Sequence, residues 1–406
     1  LNKLRDLWRR WFGGGRSSSG LTVQSLCSDL GFEVSPEVME FRHVPGGKVL
    51  FAPGALGQAG KEAARLGGTR VLLVTDPGIR SAGHEDRAID SLRRAGLEAV
   101  VFDRVRENPT TRDVALAVEA AREGAIDLIM GLGGGSSLDT AKGCNFILTN
   151  GGEMRNYWGV NKAQRPMLPF IAIPTTAGTG SECQSFALIA DEETHQKMAC
   201  GDKKAAAAVA ILDPELTLTK PRGVTACTGI DALAHAVETA VCKKRTEISA
   251  QYSRVAFHLL NRGFEAVLRE PGDLEARARM LLGAAFAGTA IENSMLGAAH
   301  STANPLTAHY GTIHGVAVGL MLPHVVSRNR QNPEANAMYD RLCPGLEQRL
   351  QALLSLAELP GRAGAVGLDA ASIPVLAAEA AKQWTAQYNP VALDAEGMAD
   401  LYQVAL

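Results

Sequence analysis

The chain has 406 residues, 46% of them apolar and 21% charged, with a formal net charge of −2. That length exceeds what one hydrophobic core fills, so two domains are expected. The near-neutral balance argues against a nucleic-acid partner, no apolar run reaches the ~18–20 residues of a membrane span, and seven cysteines without a Cys-x-x-Cys pair argue against a disulfide framework and fit a reducing, cytoplasmic setting.

Residues 1–40 read as an N-terminal extension. In "LNKLRDLWRRWFGGGRSSSG", Leu4, Leu7, Trp8 and Trp11 fall on one helical stripe, with Lys3, Arg5, Arg9 and Arg10 elsewhere on the wheel. Gly13 to Gly20 then form a Gly/Ser tether. Residues 1–12 are a candidate docking peptide for a partner protein, a protein shell or an anionic surface; a frayed terminus is the plainer alternative.

Residues 41–221 alternate between short apolar runs and helical stretches. "RVLLVTD" (70–76), "LEAVVFD" (97–103), "AIDLIMGLGGG" (125–135) and "LPFIAIPTT" (168–176) predict buried strands. "TTRDVALAVEAAREG" places Val114, Val118 and Ala121 on one helical face. "SFALIADEETHQKMACG" predicts a hairpin turning at Asp191–Thr194, and "VAILDPELT" (209–217) one more strand. The expected fold class is α/β followed by all-α: a parallel sheet with helices, then from residue 222 to 406 a helical domain rich in Ala, Leu and Glu.

Two loops could bind phosphate. "GLGGGSSLDTAKG" (131–143) leaves a strand and opens a helix, so its glycines admit a phosphate to helix N-terminal N–H groups. It is neither a Walker loop nor the standard Gly-x-Gly-x-x-Gly fingerprint, and a merely tight turn is the alternative. "IPTTAGTGSE" (173–182) is a second concentration of small and hydroxyl residues after a strand. Asp76, ending the first run, suits a ribose diol and would repel a 2′-phosphate, favouring NAD over NADP; a solvated loop aspartate is the alternative.

"GIDALAHAVE" sets Asp231 and His235 one helical turn apart. "GAAHSTANPLTAHYGTIHGVAVGL" (297–320) carries His300, His309 and His314 among small apolar residues. Buried imidazoles need partners. Asp231, His235, His300 and His314 together would suit Fe²⁺ or Zn²⁺ rather than Mg²⁺ or Ca²⁺. Unrelated histidines, each with its own hydrogen bond, remain the alternative.

With "GGGSSLDTAK", "PTTAGTGSE", "ILDPELT", "GIDALAHAVE" and "HGVAVGLMLPHV" in order, residues 41–406 resemble the iron-containing (group III) alcohol dehydrogenase family. The resemblance implies an N-terminal dinucleotide-binding domain, a C-terminal helical domain of dehydroquinate-synthase-like architecture, and an active site between them. It implies metal ligands at Asp231, His235, His300 and His314. Gly134, Gly135 and Ser136 match the pyrophosphate loop, and Thr176 and Thr179 the second cofactor loop. Asp76 matches the adenosine-ribose position, Asn108 another cofactor-side position, and Lys197 a hairpin lysine near the cofactor; Asp139 is expected to line the cleft. The resemblance also implies a homodimer or larger homo-oligomer.

One position departs from the pattern. Many members carry a further histidine four residues after the third ligand, where this chain has Asn304. An amide relays no proton as an imidazole does, which makes His309 a candidate replacement. The expected activity is metal-dependent, NAD(H)-linked interconversion of a small primary alcohol or diol and its aldehyde, with His309 and Asp139 as candidate catalytic groups. The rivals are a dehydroquinate-synthase- or glycerol-phosphate-dehydrogenase-like enzyme on the same fold and a docking protein of reduced activity. Against the former, the segments around His300 and His314 carry no Lys or Arg, the first after His314 being Arg328, so this stretch offers no fixed cation for a substrate phosphate.

Overall fold

The computed structural model describes residues 20–194 and 196–406. The expected amphipathic segment over 1–12 lies outside the described residues. Among the described residues, nine strands lie before residue 213: β1 (Lys48–Phe51), β2 (Arg70–Val74), β3 (Glu98–Phe102), β4 (Leu128–Gly133), β5 (Gly159–Val160), β6 (Phe170–Pro174), β7 (Phe186–Ala190), β8 (Lys197–Gly201) and β9 (Val209–Leu212). Interleaved or preceding are α1 (Val23–Cys27), α2 (Pro36–Met39), α3 (Ala59–Arg65), α4 (Pro77–Ser81), α5 (His84–Arg94), α6 (Thr111–Glu123) and α7 (Gly135–Asn150). From Arg222 onward the described chain is helical: α8 (Arg222–Thr239), α9 (Glu247–Arg269), α10 (Leu274–Glu292), α11 (Ala298–Tyr310), α12 (His314–Asn329), α13 (Pro333–Leu342), α14 (Leu346–Leu356), α15 (Ile373–Lys382) and α16 (Ala395–Ala405).

Six strands form a parallel sheet in the order β1-β9-β6-β4-β2-β3. Its central strands are continuous apolar runs because helices cover both faces. β4, "LIMGLG", is buried at every residue. Val114, Val118 and Leu138 from α6 and α7 pack on one face. Ala59 and Ala63 of α3 and Ala88 and Leu92 of α5 pack on the other. Register aligns Val74 with Gly131 and Gly133 with Pro174. The loops after β2, β4 and β6 therefore leave the carboxyl edge side by side, where α/β sheets bind ligands. β7 and β8 form the expected antiparallel hairpin, to which β5 adds a parallel third strand.

One segment sits otherwise than the sequence implied. Leu26, Leu30, Val38, Phe41 and Val44 are buried in the helical core, although most of this stretch reads as an extension preceding the sheet. The Tyr252 hydroxyl donates to the Glu37 carbonyl at 3.0 Å, and Arg279 pairs with Asp29 at 3.0 Å. Residues 21–44 thus belong by packing to the helical half.

The two halves meet along α10. Gly180 has φ +62, and a Cβ there would lie 2.6 Å from the Cα of Gly288. Glu292, at the end of α10, accepts from the Ser185 amide at 2.9 Å and hydroxyl at 2.8 Å, and it pairs with Lys203. Gly180→Ala combines a left-handed backbone with a clash against helix backbone. It should cost about 2 kcal/mol or more, read as a lowered urea midpoint. An unchanged midpoint would mean that the loop lifts off α10 freely.

Candidate active site

α8 supplies three acidic or basic groups along one face: Asp231, His235 and Glu238, at i, i+4 and i+7. Glu238 is almost fully buried and accepts from the Ala299 amide at 2.7 Å, satisfying a free N–H in the first turn of α11. Its other oxygen meets Nδ1 of His300, which fixes that ring. α12 begins at His314, and a Cβ at Gly315 would come within 2.0 Å of the Cys227 carbonyl. Only glycine lets this first turn lie against α8, and that contact carries His314 to Asp231.

The four side chains converge on one oxygen. Asp231 Oδ1 lies 3.5 Å from His235 Nε2, 3.5 Å from His300 Nε2 and 3.9 Å from His314 Nε2. The His235 and His300 rings stack at 4.9 Å between centroids. Ligand atoms from Asp231, His300 and His314 all lie within 4.8 Å of one another. Asp231 Oδ1 and His300 Nε2 are buried without a hydrogen-bond partner among the described residues. Leaving such atoms unpaired is costly, and one cation between them would satisfy both. One carboxylate and three imidazoles fit Fe²⁺ or Zn²⁺.

The electrostatics agree. Burial pushes the Asp231 carboxyl up, but the imidazoles of His235, His314 and His300 outweigh it and hold it well below the usual range. Burial opposes a proton on His300, yet Glu238 and Asp231 hold its pKa up at about 9. His314, with burial dominant and Lys197 also opposing a second positive charge, falls to about 3 despite the pull of Asp231. The site therefore favours positive charge at its centre, and a metal there would displace the His300 proton on Nε2 while Nδ1 keeps its own.

Facing this cluster is the carboxyl edge of the sheet. α7 starts after Gly134 with no side-chain cap, so its first N–H groups, near Gly135 and Ser136, have no side-chain acceptor. A Cβ on Gly135 would meet Thr179 Cγ2 at 2.7 Å, and one on Gly134 would meet Thr176 at 3.5 Å. The two small-residue loops thus form one surface. Asp76 caps α4 through Oδ1, accepting from Gly78 N at 2.9 Å and Ile79 N at 3.0 Å. Its Oδ2 lies 3.4 Å from the Ser137 hydroxyl, beside the same loop. Asn108 is exposed, with φ +53, in the loop after β3.

Lys197 opens β8 with part of its side chain at the surface, while its ammonium end is turned inward and desolvated. Lost hydration pushes its ammonium below the usual lysine range, against the pull of Asp139, Asp231 and Glu107. Asp139 is buried and accepts from the Ser181 hydroxyl at 2.7 Å. Burial pushes its carboxyl up, against Lys142.

His309 is not brought to this cluster. It lies nine residues beyond His300 on α11, about 13 Å along the axis and on the opposite face. It is half-exposed, with Nε2 2.9 Å from Glu379. Asn304, one turn after His300, donates to Gln383 Oε1 at 3.0 Å.

Sequence reasoning missed two buried supports. Glu238 had a visible signal, since it ends "GIDALAHAVE" on the face of Asp231 and His235. Lys142 had less. It is almost fully buried and donates to the Ser181 carbonyl at 2.6 Å, the Ser181 hydroxyl at 2.8 Å and the Phe186 carbonyl at 2.9 Å.

Comparison with known proteins decides the family. The profile "Iron-containing alcohol dehydrogenase" matches residues 46–214, and "Fe-containing alcohol dehydrogenase family, C-terminal" matches residues 225–406. The chain belongs to the iron-containing alcohol dehydrogenase family. It is an oxidoreductase, a metal-containing alcohol dehydrogenase by descent. It is 36% identical to an NAD-dependent methanol dehydrogenase of Bacillus methanolicus, over 68% of this chain and 72% of that one. With the 1,3-propanediol dehydrogenase of Citrobacter freundii it shares 33% identity over 87% of this chain and 96% of the relative. A crystal structure of 1,3-propanediol oxidoreductase superposes with a TM-score of 0.84 at 30% identity, covering 88% of this chain and 98% of that one. The same parallel-sheet and helical architecture is thus shared along almost the whole described length. No described helix of the dehydrogenase is long and apolar enough to cross a membrane.

Proposed function

We propose that this dehydrogenase interconverts a small primary alcohol or diol and its aldehyde, using NAD(H) and a metal held by Asp231, His235, His300 and His314. The observation carrying this reading is the pair of buried, unpartnered atoms Asp231 Oδ1 and His300 Nε2, 3.5 Å apart. Fe²⁺ is the metal favoured by the family, with Zn²⁺ as the alternative for the same donors. When bound, the metal supplies Lewis-acid polarisation of the substrate oxygen, and the nicotinamide supplies or takes the hydride.

The chain's own residues position both partners. Glu238 holds the His300 proton on Nδ1 and so aims the Nε2 lone pair inward. Gly134, Gly135 and Ser136 offer N–H groups to a pyrophosphate, with the hydroxyls of Thr176 and Thr179 beside them. Asp76 keeps Oδ2 for a ribose diol and repels a 2′-phosphate, which selects NAD over NADP. Asn108 and Lys197 lie on the cofactor side, and Asp139 braces the cleft wall through Ser181. The NAD dependence named for the methanol dehydrogenase of Bacillus methanolicus supports this cofactor.

The deciding experiment measures aldehyde-dependent NADH oxidation on chelator-treated protein, with Fe²⁺ (added anaerobically) or Zn²⁺ restored. Turnover should vanish with the metal and return with at least one of the two. Turnover that survives complete metal removal would refute the four-ligand reading.

A further inference from the structure

One contact between the two halves of the molecule is aromatic. Phe186 opens β7 in the α/β half. Its ring occupies space that a side chain at Gly201 would take, since a Cβ there would lie 2.4 Å from it. Trp384 follows α15 in the helical half, and the two rings stack at 6.0 Å between centroids, 27° from parallel. The stack therefore bridges the two halves of the molecule. Trp384 remains 41% exposed, so this contact does not bury it as a core residue.

Both rings are anchored to the elements that carry the chemistry. On either side of Trp384, Gln383 accepts from Asn304 at 3.0 Å and Thr385 Oγ1 meets Ser301 Oγ at 2.8 Å. Ser301 and Asn304 flank His300, one residue and one turn beyond it on α11. On the opposite side, the Phe186 carbonyl holds Lys142 of α7, the helix opened by the phosphate loop. The two rings thus sit between the helix that carries His300 and the helix opened by the phosphate loop. The neighbouring Asn304–Gln383 pair is neutral, so the lining suits an uncharged chain.

We propose that Phe186 and Trp384 form an end wall of the substrate pocket and restrict the substrate to a short, uncharged carbon chain. This rests on the alcohol–aldehyde reading above. In a pocket closed by packed rings, each methylene beyond the wall must displace an aromatic side chain, and such steric discrimination is worth about tenfold or more per group.

The test compares kcat/KM for hexanal and propanal with NADH in the metal-loaded enzyme. The wild type should favour propanal. Trp384→Ala should raise the hexanal-to-propanal ratio about tenfold, Phe186→Ala should move it the same way, and Trp384→Phe should restore most of the preference. Because Trp384 is partly exposed, its variants should melt close to the wild type, which keeps the ratio interpretable. A ratio that stays constant or falls in both alanine variants, while the wild type turns over propanal, would overturn the wall and leave the reaction intact. A metal-loaded wild type that reduces no aldehyde would instead sink the alcohol–aldehyde reading and the wall with it.

Discussion

Asp231→Asn should reduce kcat/KM by about three orders of magnitude and abolish stabilisation of the protein by added metal. The substitution keeps the shape of the side chain and removes the only carboxylate among the four converging groups. Asp231 Oδ1 is the atom that the other three face at 3.5, 3.5 and 3.9 Å. Lewis-acid activation supplies several kcal/mol of transition-state stabilisation, and each 1.36 kcal/mol is tenfold in rate, which sets the size of the loss. A metal that binds only the folded wild type adds about 2.7 kcal/mol of stability at a hundredfold excess over its Kd. Melting curves with and without Fe²⁺ or Zn²⁺, together with metal content, read this directly. A variant that still binds metal stoichiometrically and turns over normally would show that the anion is dispensable and the ligand assignment mistaken. His309→Ala is the matching comparison. Set about 13 Å along α11 from His300 and paired with Glu379, it should alter kcat/KM by less than about twofold, a barrier change of under about 0.4 kcal/mol.

The contrast between Asp231 and His309 shows what the sequence could convey. Asp231 and His235 are legible as a pair because helix geometry fixes i, i+4 neighbours. The phosphate loop is legible for a similar local reason: only glycine permits the approach at Gly133 and Gly135, where a Cβ would strike Ser137 and Thr179. Convergence of His300 and His314 on Asp231 is not local. It depends on Gly315 settling against the Cys227 carbonyl and on Glu238 capping a helix 61 residues away. Spacing does not encode such contacts, so the residues alone left unrelated histidines open, and family resemblance had to decide for the four-ligand set. His309 looks equivalent to its neighbours in the sequence, yet nine residues of helix turn it to the opposite face. The segment 21–44 misleads for the same reason. Its apolar residues are as frequent as in the chain at large, but its helices span only five and four residues, too short to show a period, and their burial against α9 and α10 comes from tertiary packing. The sheet's central strands were legible because their runs, buried on both faces, carry almost no polar residue, whereas the edge strand β1 and the two-residue β5 were not.

Glu238→Gln, although isosteric, should weaken metal binding about 10–100-fold, the range typical of a group that orients a metal ligand. The carboxylate accepts two hydrogen bonds at once, from the Ala299 amide and from Nδ1 of His300. A glutamine amide has one acceptor oxygen. If that oxygen stays on the Ala299 N–H, its NH₂ faces Nδ1 and donates to it, which moves the imidazole proton to Nε2 and blocks the lone pair aimed at Asp231. If the amide flips, its NH₂ opposes the Ala299 N–H, and a buried donor is left unpaired at a cost of about 1–3 kcal/mol. Either arrangement should separate two readouts. Metal affinity should fall by 10–100-fold, while kcat at saturating metal should fall less, because the four ligands themselves remain. Isothermal titration with Zn²⁺ gives the first quantity and steady-state NADH oxidation the second. A variant with wild-type metal affinity would show that α8 and α11 hold His300 in place without Glu238, and that the buried carboxylate serves the helix terminus alone.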